Sequence, residues 1–285
     1  MIQSLKQIKN RIRSIGNTRK VTSAMEMISV AKLNRMNKAL LTLKPYCQHL
    51  ESLLNDALGG MEEASHPFLR GAVNREKAAL CVITSDSGLC GVYNNAIIRF
   101  ADEFIAERGA GRVRLITVGR KGSNHFRGRE GLEIAHSYAG LLGRYSPRIA
   151  DEVASLLMGM YLRQDVHEVY LAYTHYETAL IQRPVVQKIL NIERSVSARS
   201  GYLFEPGPAR ILEVLLPKYV VSRLRLAFLE AFTSEHAART IAMKMATDNA
   251  DELLQALVML RNKVRQATIT QEIMEVIAAS EALKG

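Results

Sequence analysis

The chain has 285 residues, 48% of them hydrophobic and 23% charged, with a formal charge of +10 and three cysteines. That length holds one large core or two smaller ones and the apolar fraction excludes wholesale disorder, while Cys47, Cys81 and Cys90 lack CxxC spacing and read as ordinary reduced thiols. No run of eighteen uncharged apolar residues exists and the stretch MIQSLKQIKNRIRSIG is punctuated by Lys6, Lys9, Arg11 and Arg13, so neither a spanning helix nor a secretory leader is expected, and the reading is a cytoplasmic chain held at a membrane only through partners.

From Ile2 to about Leu58 the pattern is helical. Ile2, Leu5, Ile8, Ile12 and Ile15 recur at spacings of three and four, and the stripe continues less regularly through Met25, Ile28, Leu33, Met36, Leu40 and Leu43. Pro45 predicts a bend or a break, and Gly59 with Gly60 an end. Residues 1 to 44 carry ten Lys or Arg against a single acid, Glu26, so nearly all of the excess positive charge belongs to this first helix. Such a run suits nucleic-acid phosphates, an acidic protein surface, anionic lipid or simply solvent.

The chain then changes grammar. AALCVITSD, from Ala78, reads as a buried strand and turn; NNAIIRFADEFIAERG, from Asn94, as an amphipathic helix; VRLITVG, from Val113, as another strand. RKGSNHFRGREG reads as a polar, glycine-bearing connection, SPRIADEVASLLMGMYLR as a helix with proline in its first turn, and HEVYLAYTHYE and RPVVQKILNI as two strands. Strands alternating with helices over residues 75–192 predict an α/β domain with a mostly parallel, Rossmann-like sheet. Residues 193–216 form a polar return path.

Pro217 occupies a first-turn position, and from Lys218 to Lys284 there are 67 residues without Gly or Pro. An unbroken helix of that length would extend roughly 100 Å, more than a compact domain of this size can cover. Two long helices, over 1–58 and 217–285, therefore predict a long antiparallel coiled coil of the chain ends around a middle α/β domain. Its apolar candidates include Leu224, Phe228, Met245, Leu253, Leu257 and Leu260, followed by Ile269, Ile273 and Ile277.

The loop TSDSGLCGVYNN, between the first strand and a helix, lies where many α/β proteins hold a phosphate. It lacks both GxGxxG and GxxxxGK[ST]. Asp86, Ser87 and Cys90 have no histidine partner within the motif, so Gly88 and Gly91 are read as letting the backbone turn and Leu89 as packing or meeting a partner. The seven histidines show no metal-ligand spacing, and paired carboxylates such as Asp251 with Glu252 read as solvated charge. No cofactor and no catalytic group is expected. A basic scaffold that binds nucleic acid, and an α/β enzyme using Asp86 and Cys90, are the competing readings.

Four stretches decide among these: TRKVTSAMEMISVAKL at 18–33, SDSGLCGVYN at 85–94, GYLFEP at 201–206, and IAMKMATDNADEL at 241–253 followed by RQATITQEI at 265–273. In order and over nearly the whole chain they resemble the gamma subunit of F-type ATP synthases, the central rotor shaft. The resemblance implies a non-catalytic subunit, one copy per complex, whose terminal helices stand inside a ring of alpha and beta subunits and whose middle domain lies with epsilon near the c-ring. It places the chain peripherally on the cytoplasmic face of an energy-transducing membrane, coupling proton- or sodium-driven rotation to ATP synthesis or hydrolysis on beta. It implies partner contact or coupling at Met25, Glu26, Arg239, Arg265, Gln266 and Thr270, and contact on the c-ring and epsilon side at Tyr202, Phe204 and Glu205. Taken alone, the same positions read as seam, solvated or packing residues. The family loop commonly carries arginine where this chain has Ser87, so a rigid fork of donors is missing here. The cysteine-bearing segment of chloroplast forms is not evident, and thiol control is not expected.

Overall fold

The computed structural model describes residues 4–59, 66–69, 77–141, 143–192, 204–205 and 207–282. Tyr202 and half of the 193–216 connection lie outside them. The described elements are α1 (Leu5–Gly59), β1 (Ala78–Ile83), α2 (Tyr93–Arg108), β2 (Val113–Val118), α3 (Arg120–Phe126), β3 (Glu133–Tyr138), α4 (Pro147–Leu162), β4 (Glu168–Tyr176), β5 (Gln182–Leu190) and α5 (Pro208–Ala282), with a 3-10 turn at Ala110–Arg112. The chain divides into two units, residues 29–239 and residues 1–28 with 240–285.

The larger unit is built on a five-stranded sheet of order β3-β2-β1-β4-β5. The first four strands are parallel, and β5 returns antiparallel to β4. Alternation along β1 decides which side each residue serves. Ala79, Cys81 and Ile83 join the core shared with α4, α1 and α5, while Leu80 and Val82 pack with Ile97, Ala101 and Ile105 of α2. The stretch 120–138, expected as a loop followed by nothing regular, forms α3 and the edge strand β3. The α3 sequence is short and polar, and β3 is partly exposed along its length, so neither leaves an apolar period. Gly119 opens α3 with φ +95, and a Cβ there would lie 2.2 Å from the Thr84 carbonyl oxygen; only glycine permits that approach.

Both long helices contribute to this unit. In α1 the buried positions Ser29, Met36, Leu50 and Ala57 fall in one seven-residue series, and Leu40, Cys47 and Leu54 in a second, offset by four. That is the a/d seam of a coiled coil. Its partner is α5, running the other way: Met36 and Leu40 pack with Leu229, and further along α1 the Cys47 thiol donates to the earlier Ser222 carbonyl at 3.5 Å, with Glu51 paired to Arg223 at 3.5 Å beside it. The α1 helix continues through Pro45, which lies on an exposed turn between the buried seam positions Leu40 and Cys47. The second helix begins at Pro208 and not at Pro217, which is interior. Burial of Leu212, Leu215 and Leu216 holds the earlier turns against a proline cost of about 3 kcal/mol.

In the smaller unit the pairing is again antiparallel. Arg19 forms an ion pair with Asp251, and the Thr247 hydroxyl donates to that of Thr22 at 2.8 Å. The α5 seam here is Met243, Ala250 and Leu257, spaced by seven. Met245, Leu253 and Leu260, expected in the seam from their apolarity, are exposed. This stretch is apolar on more than one side, so the helix's rotation is set by its polar anchors, Thr247 and Asp251. Continuing that register brings Leu5 level with Arg265, and from Arg265 to Ala282 every described residue is exposed, Ile269, Ile273 and Ile277 included.

This register makes a testable distinction between two leucines of one helix. Leu257→Ala, at a site 9% exposed, should lower the unfolding free energy by about 2–3 kcal/mol, whereas Leu253→Ala, 54% exposed, should change it by less than about 0.5 kcal/mol. Denaturant titration of the two variants checks this, and equal losses would reject the seam.

Candidate functional site

The loop after β1 is held by its own polar groups. The Thr84 hydroxyl donates to the Val118 carbonyl at 3.0 Å and accepts from the Gly122 amide at 2.9 Å. One oxygen of Asp86 accepts the backbone amides of Arg120 and Gly140, at 3.0 and 3.1 Å. Asn94, at the start of α2, accepts the Ser85 amide at 3.0 Å and donates to the Cys90 sulfur at 3.1 Å. Asp86 therefore staples three strand-end connections together. Cys90 is 2% exposed, and burial pushes its thiol above the ordinary value, which disfavours the thiolate a nucleophile needs. The enzyme reading built on Asp86 and Cys90 finds no support in this arrangement.

In an α/β sheet the crevice at the carboxyl ends of the strands, where strand order reverses, is the usual ligand position. Here the reversal lies at β1, between β2 and β4, and α5 fills the crevice. The Tyr93 hydroxyl donates to the Ala231 carbonyl at 3.0 Å, and the Ser234 hydroxyl to the Thr174 carbonyl at 3.2 Å. The run Thr233, Ser234, Glu235 and His236 is buried although polar. Such groups persist in a core only when bonded, and most of these are.

Arg239 completes the cluster. Its Nη2 lies 2.8 Å from Glu235 Oε1 and donates to Ser87 Oγ at 3.1 Å and to the carbonyls of Ser87 and Gly88 at 3.4 Å. His236 Nε2 donates to the Gly143 carbonyl at 2.8 Å, which leaves Nδ1 to accept from Arg239 Nη1 at 3.4 Å. The imidazole is thus neutral: burial pushes its pKa down to about 4, against the lift from the Gly143 bond. Burial pushes the Glu235 carboxyl upward, against the pull of Arg239. Leu89, between these anchors, has φ +62 and is 60% exposed. It does not pack; it is presented, in a conformation that costs a bulky residue about 1–2 kcal/mol.

Of the residues singled out in the sequence, the structure brings Arg239 together with Ser87 and Gly88. Its guanidinium, 7% exposed, is neither solvated nor directed outward but engaged by its own chain. Arg265, Gln266 and Thr270 are exposed on the last stretch of α5, where the Thr270 hydroxyl donates back to the Gln266 carbonyl at 3.0 Å. Met25 and Glu26 are half-buried on α1, Phe204 packs against the large core and Glu205 is exposed. Glu235, His236 and Tyr93 escaped sequence reasoning. The signal was present in TSEHAAR, a polar run inside a helix with no breaker, with Glu and Arg four residues apart.

The His236 environment predicts a pH effect. Between the ordinary imidazole value of 6.5 and about 4 the unfolded chain takes up a proton that folded His236 refuses, so stability is lost on acidification, by up to about 3 kcal/mol. Glu235, more readily protonated folded than unfolded, works in the opposite direction in the acidic part of that window. The gap in melting temperature between the parent and a His236→Gln variant should therefore narrow as pH falls from 6.5 towards 4. A gap independent of pH would reject the neutral, buried assignment.

Comparisons with known proteins agree along the whole chain. The family described as ATP synthase matches residues 4–283. The ATP synthase gamma chain of Anaeromyxobacter sp. (strain Fw109-5) is 39% identical over 290 residues, 99% of each chain, and that of Pelotomaculum thermopropionicum 38% identical over 286 residues, again 99% of each. Among solved structures, a chain of the Euglena gracilis mitochondrial ATP synthase superposes with a TM-score of 0.71 at 16% identity, covering 98% of this chain and 94% of that one. A central-stalk chain from Tetrahymena thermophila gives 0.61 at 22% identity, covering 79% and 99%. The structural likenesses speak to fold, and the sequence relatives settle the rest: the chain belongs to the ATP synthase gamma-chain family.

Proposed function

We propose that the chain works as the non-catalytic central-stalk rotor subunit of an F-type ATP synthase, coupling rotation to conformational change at catalytic sites carried by other subunits. The observation that supports this most is the exposed last stretch of α5. Ile269, Ile273, Met274, Val276 and Ile277 stand in solvent on a helix with no described partner segment beside it, and exposed apolar surface of this extent marks an interaction site.

In this reading the paired ends of α1 and α5 meet the alpha and beta subunits, with Met25, Glu26, Arg265, Gln266 and Thr270 on the contacting surface. Phe204, Glu205 and the neighbouring Tyr202 belong to the side facing epsilon and the c-ring. The ten cations of residues 1–44 complement acidic partner surfaces by many weak attractions, which guide assembly without pinning the rotor. No helix among the described residues is long and apolar enough to cross a membrane, so peripheral membrane association comes through the c-ring. Work is done by differential contact: one asymmetric shaft lowers the free energy of a different state in each of three equivalent neighbours as it turns.

Two measurements test the proposal. Purification of the native complex should return this chain at one copy with alpha, beta, epsilon and c partners; nanomolar nucleic-acid binding at physiological salt by a chain found outside any such assembly would overturn it. In the reconstituted complex, Met25→Lys introduces an ammonium where a thioether slides. A charge-assisted hydrogen bond there, worth about 1.5–3 kcal/mol, must break in some rotational states and should slow those steps by roughly ten- to a hundredfold. The expected result is an assembled enzyme that still hydrolyses ATP but moves fewer ions per ATP. An unchanged ratio in a correctly assembled variant rejects the role of Met25.

A further inference from the structure

We propose that Arg239 is a positioning residue that fixes the shape of the 85–91 loop from α5, so that the outward setting of Leu89 depends on the long helix and not on the loop alone. The first ground is convergence. A single nitrogen of a guanidinium that is 7% exposed reaches the side chain of Ser87 and the carbonyls of Ser87 and Gly88. Arg239 is itself immobilised from the opposite side. Glu235, 1% exposed and one helical turn earlier, holds it through Oε1 at 2.8 Å, while Glu235 Oε2 makes no hydrogen bond, so Arg239 is the closest cation to this buried carboxylate among the described ion pairs. His236 Nδ1, fixed by the Gly143 bond, receives its other amino group.

The second ground is the loop's own geometry. Ser87 is a hub whose carbonyl also accepts from Ser85 Oγ at 2.6 Å and faces the Cys90 sulfur at 3.9 Å. Leu89 follows at φ +62 with its side chain out, a conformation that persists only where surrounding contacts over-determine it. Gly88 bound to Arg239 on one side, and buried Cys90 on the other, are those contacts. Asp86 fastens the base of the loop to the sheet; Arg239 fastens its crown to the helix.

Cys90 reports the outcome directly, because its thiol is covered by the loop while Cys81, inside β1, is a control for general unfolding. In the assembled complex, Arg239→Gln should raise the alkylation rate of Cys90 by about tenfold through local opening, with Cys81 unchanged and Arg239→Lys intermediate. Because Arg239→Gln leaves a buried carboxylate unpaired, the double variant Glu235→Gln with Arg239→Gln, which keeps a neutral amide pair, serves as the second measurement and should show the same selective increase. A folded variant with unaltered Cys90 protection overturns the proposal. So does a parallel rise of Cys81 in both variants, which would make Arg239 a residue of general stability. The inference that the loop matters to coupling rests on the rotor reading and has its own readout, ions moved per ATP hydrolysed. Selective Cys90 opening with a lowered ratio supports both parts; selective opening with an unchanged ratio keeps the positioning role and rejects the coupling one.

Discussion

A helix of 75 residues cannot satisfy its apolar side chains within itself, and everything else in the molecule follows from how that surface is covered. An isolated helix is stabilised little by propensity and mostly by what packs on its face. Along α5 the cover changes with position: α1 and the sheet together over the stretch around Phe228, α1 alone over Met243 to Leu257, and no described residue beyond Arg265. Burial accordingly falls from nearly complete to none along one continuous element. The α/β domain packs where the helix is most deeply buried, and the stretch beyond Arg265 stays exposed among the described residues.

The same constraint shapes the crevice where an α/β sheet of this kind usually takes a ligand. The crevice at the carboxyl ends of β1 and β4 receives the buried polar run of α5, and the groups that would have met a ligand, Asp86 and the Thr174 carbonyl, meet backbone amides and Ser234 instead. A phosphate site and a helix clamp need the same thing, convergent donors and acceptors at strand ends. Here the convergence is used to fasten domain to helix. The bidentate pair of Arg225 with Asp151, both contacts at 2.6 Å, adds a second fastening from α4.

Much of this was legible in the sequence, for reasons that differ by element. The absence of breakers after Lys218 and the stripe from Ile2 to Ile15 announced the long helices, and the solid apolar run AALCVI announced β1. The parts that stayed hidden are those where apolarity and burial separate. In β3 the edge position leaves side chains half in water, so no alternation survives; in α5 Met245 and Leu253 are as apolar as Met243 and Leu257 yet face the other way. Pro217 looked like a beginning because a proline interior to a helix is costly, and only the burial of Leu212, Leu215 and Leu216 reveals what offsets it. In sequence Arg239 reads as a partner-contact or solvated position, and its engagement with Ser87, more than a hundred residues distant in the chain, is encoded in no local pattern.

The seven-residue spacing of Ser29, Met36, Leu50 and Ala57 in α1 carries a mechanical consequence. A straight α-helix has 3.6 residues per turn, so a stripe repeating every seven drifts by about 20° per repeat unless the two helices wind about each other left-handed. Keeping Met36 and Leu40 packed with Leu229 over successive repeats requires that winding. The seam therefore ties the twist of α1 to that of α5 within the larger unit: neither helix can turn about its own axis there without carrying its side chains out of the seam.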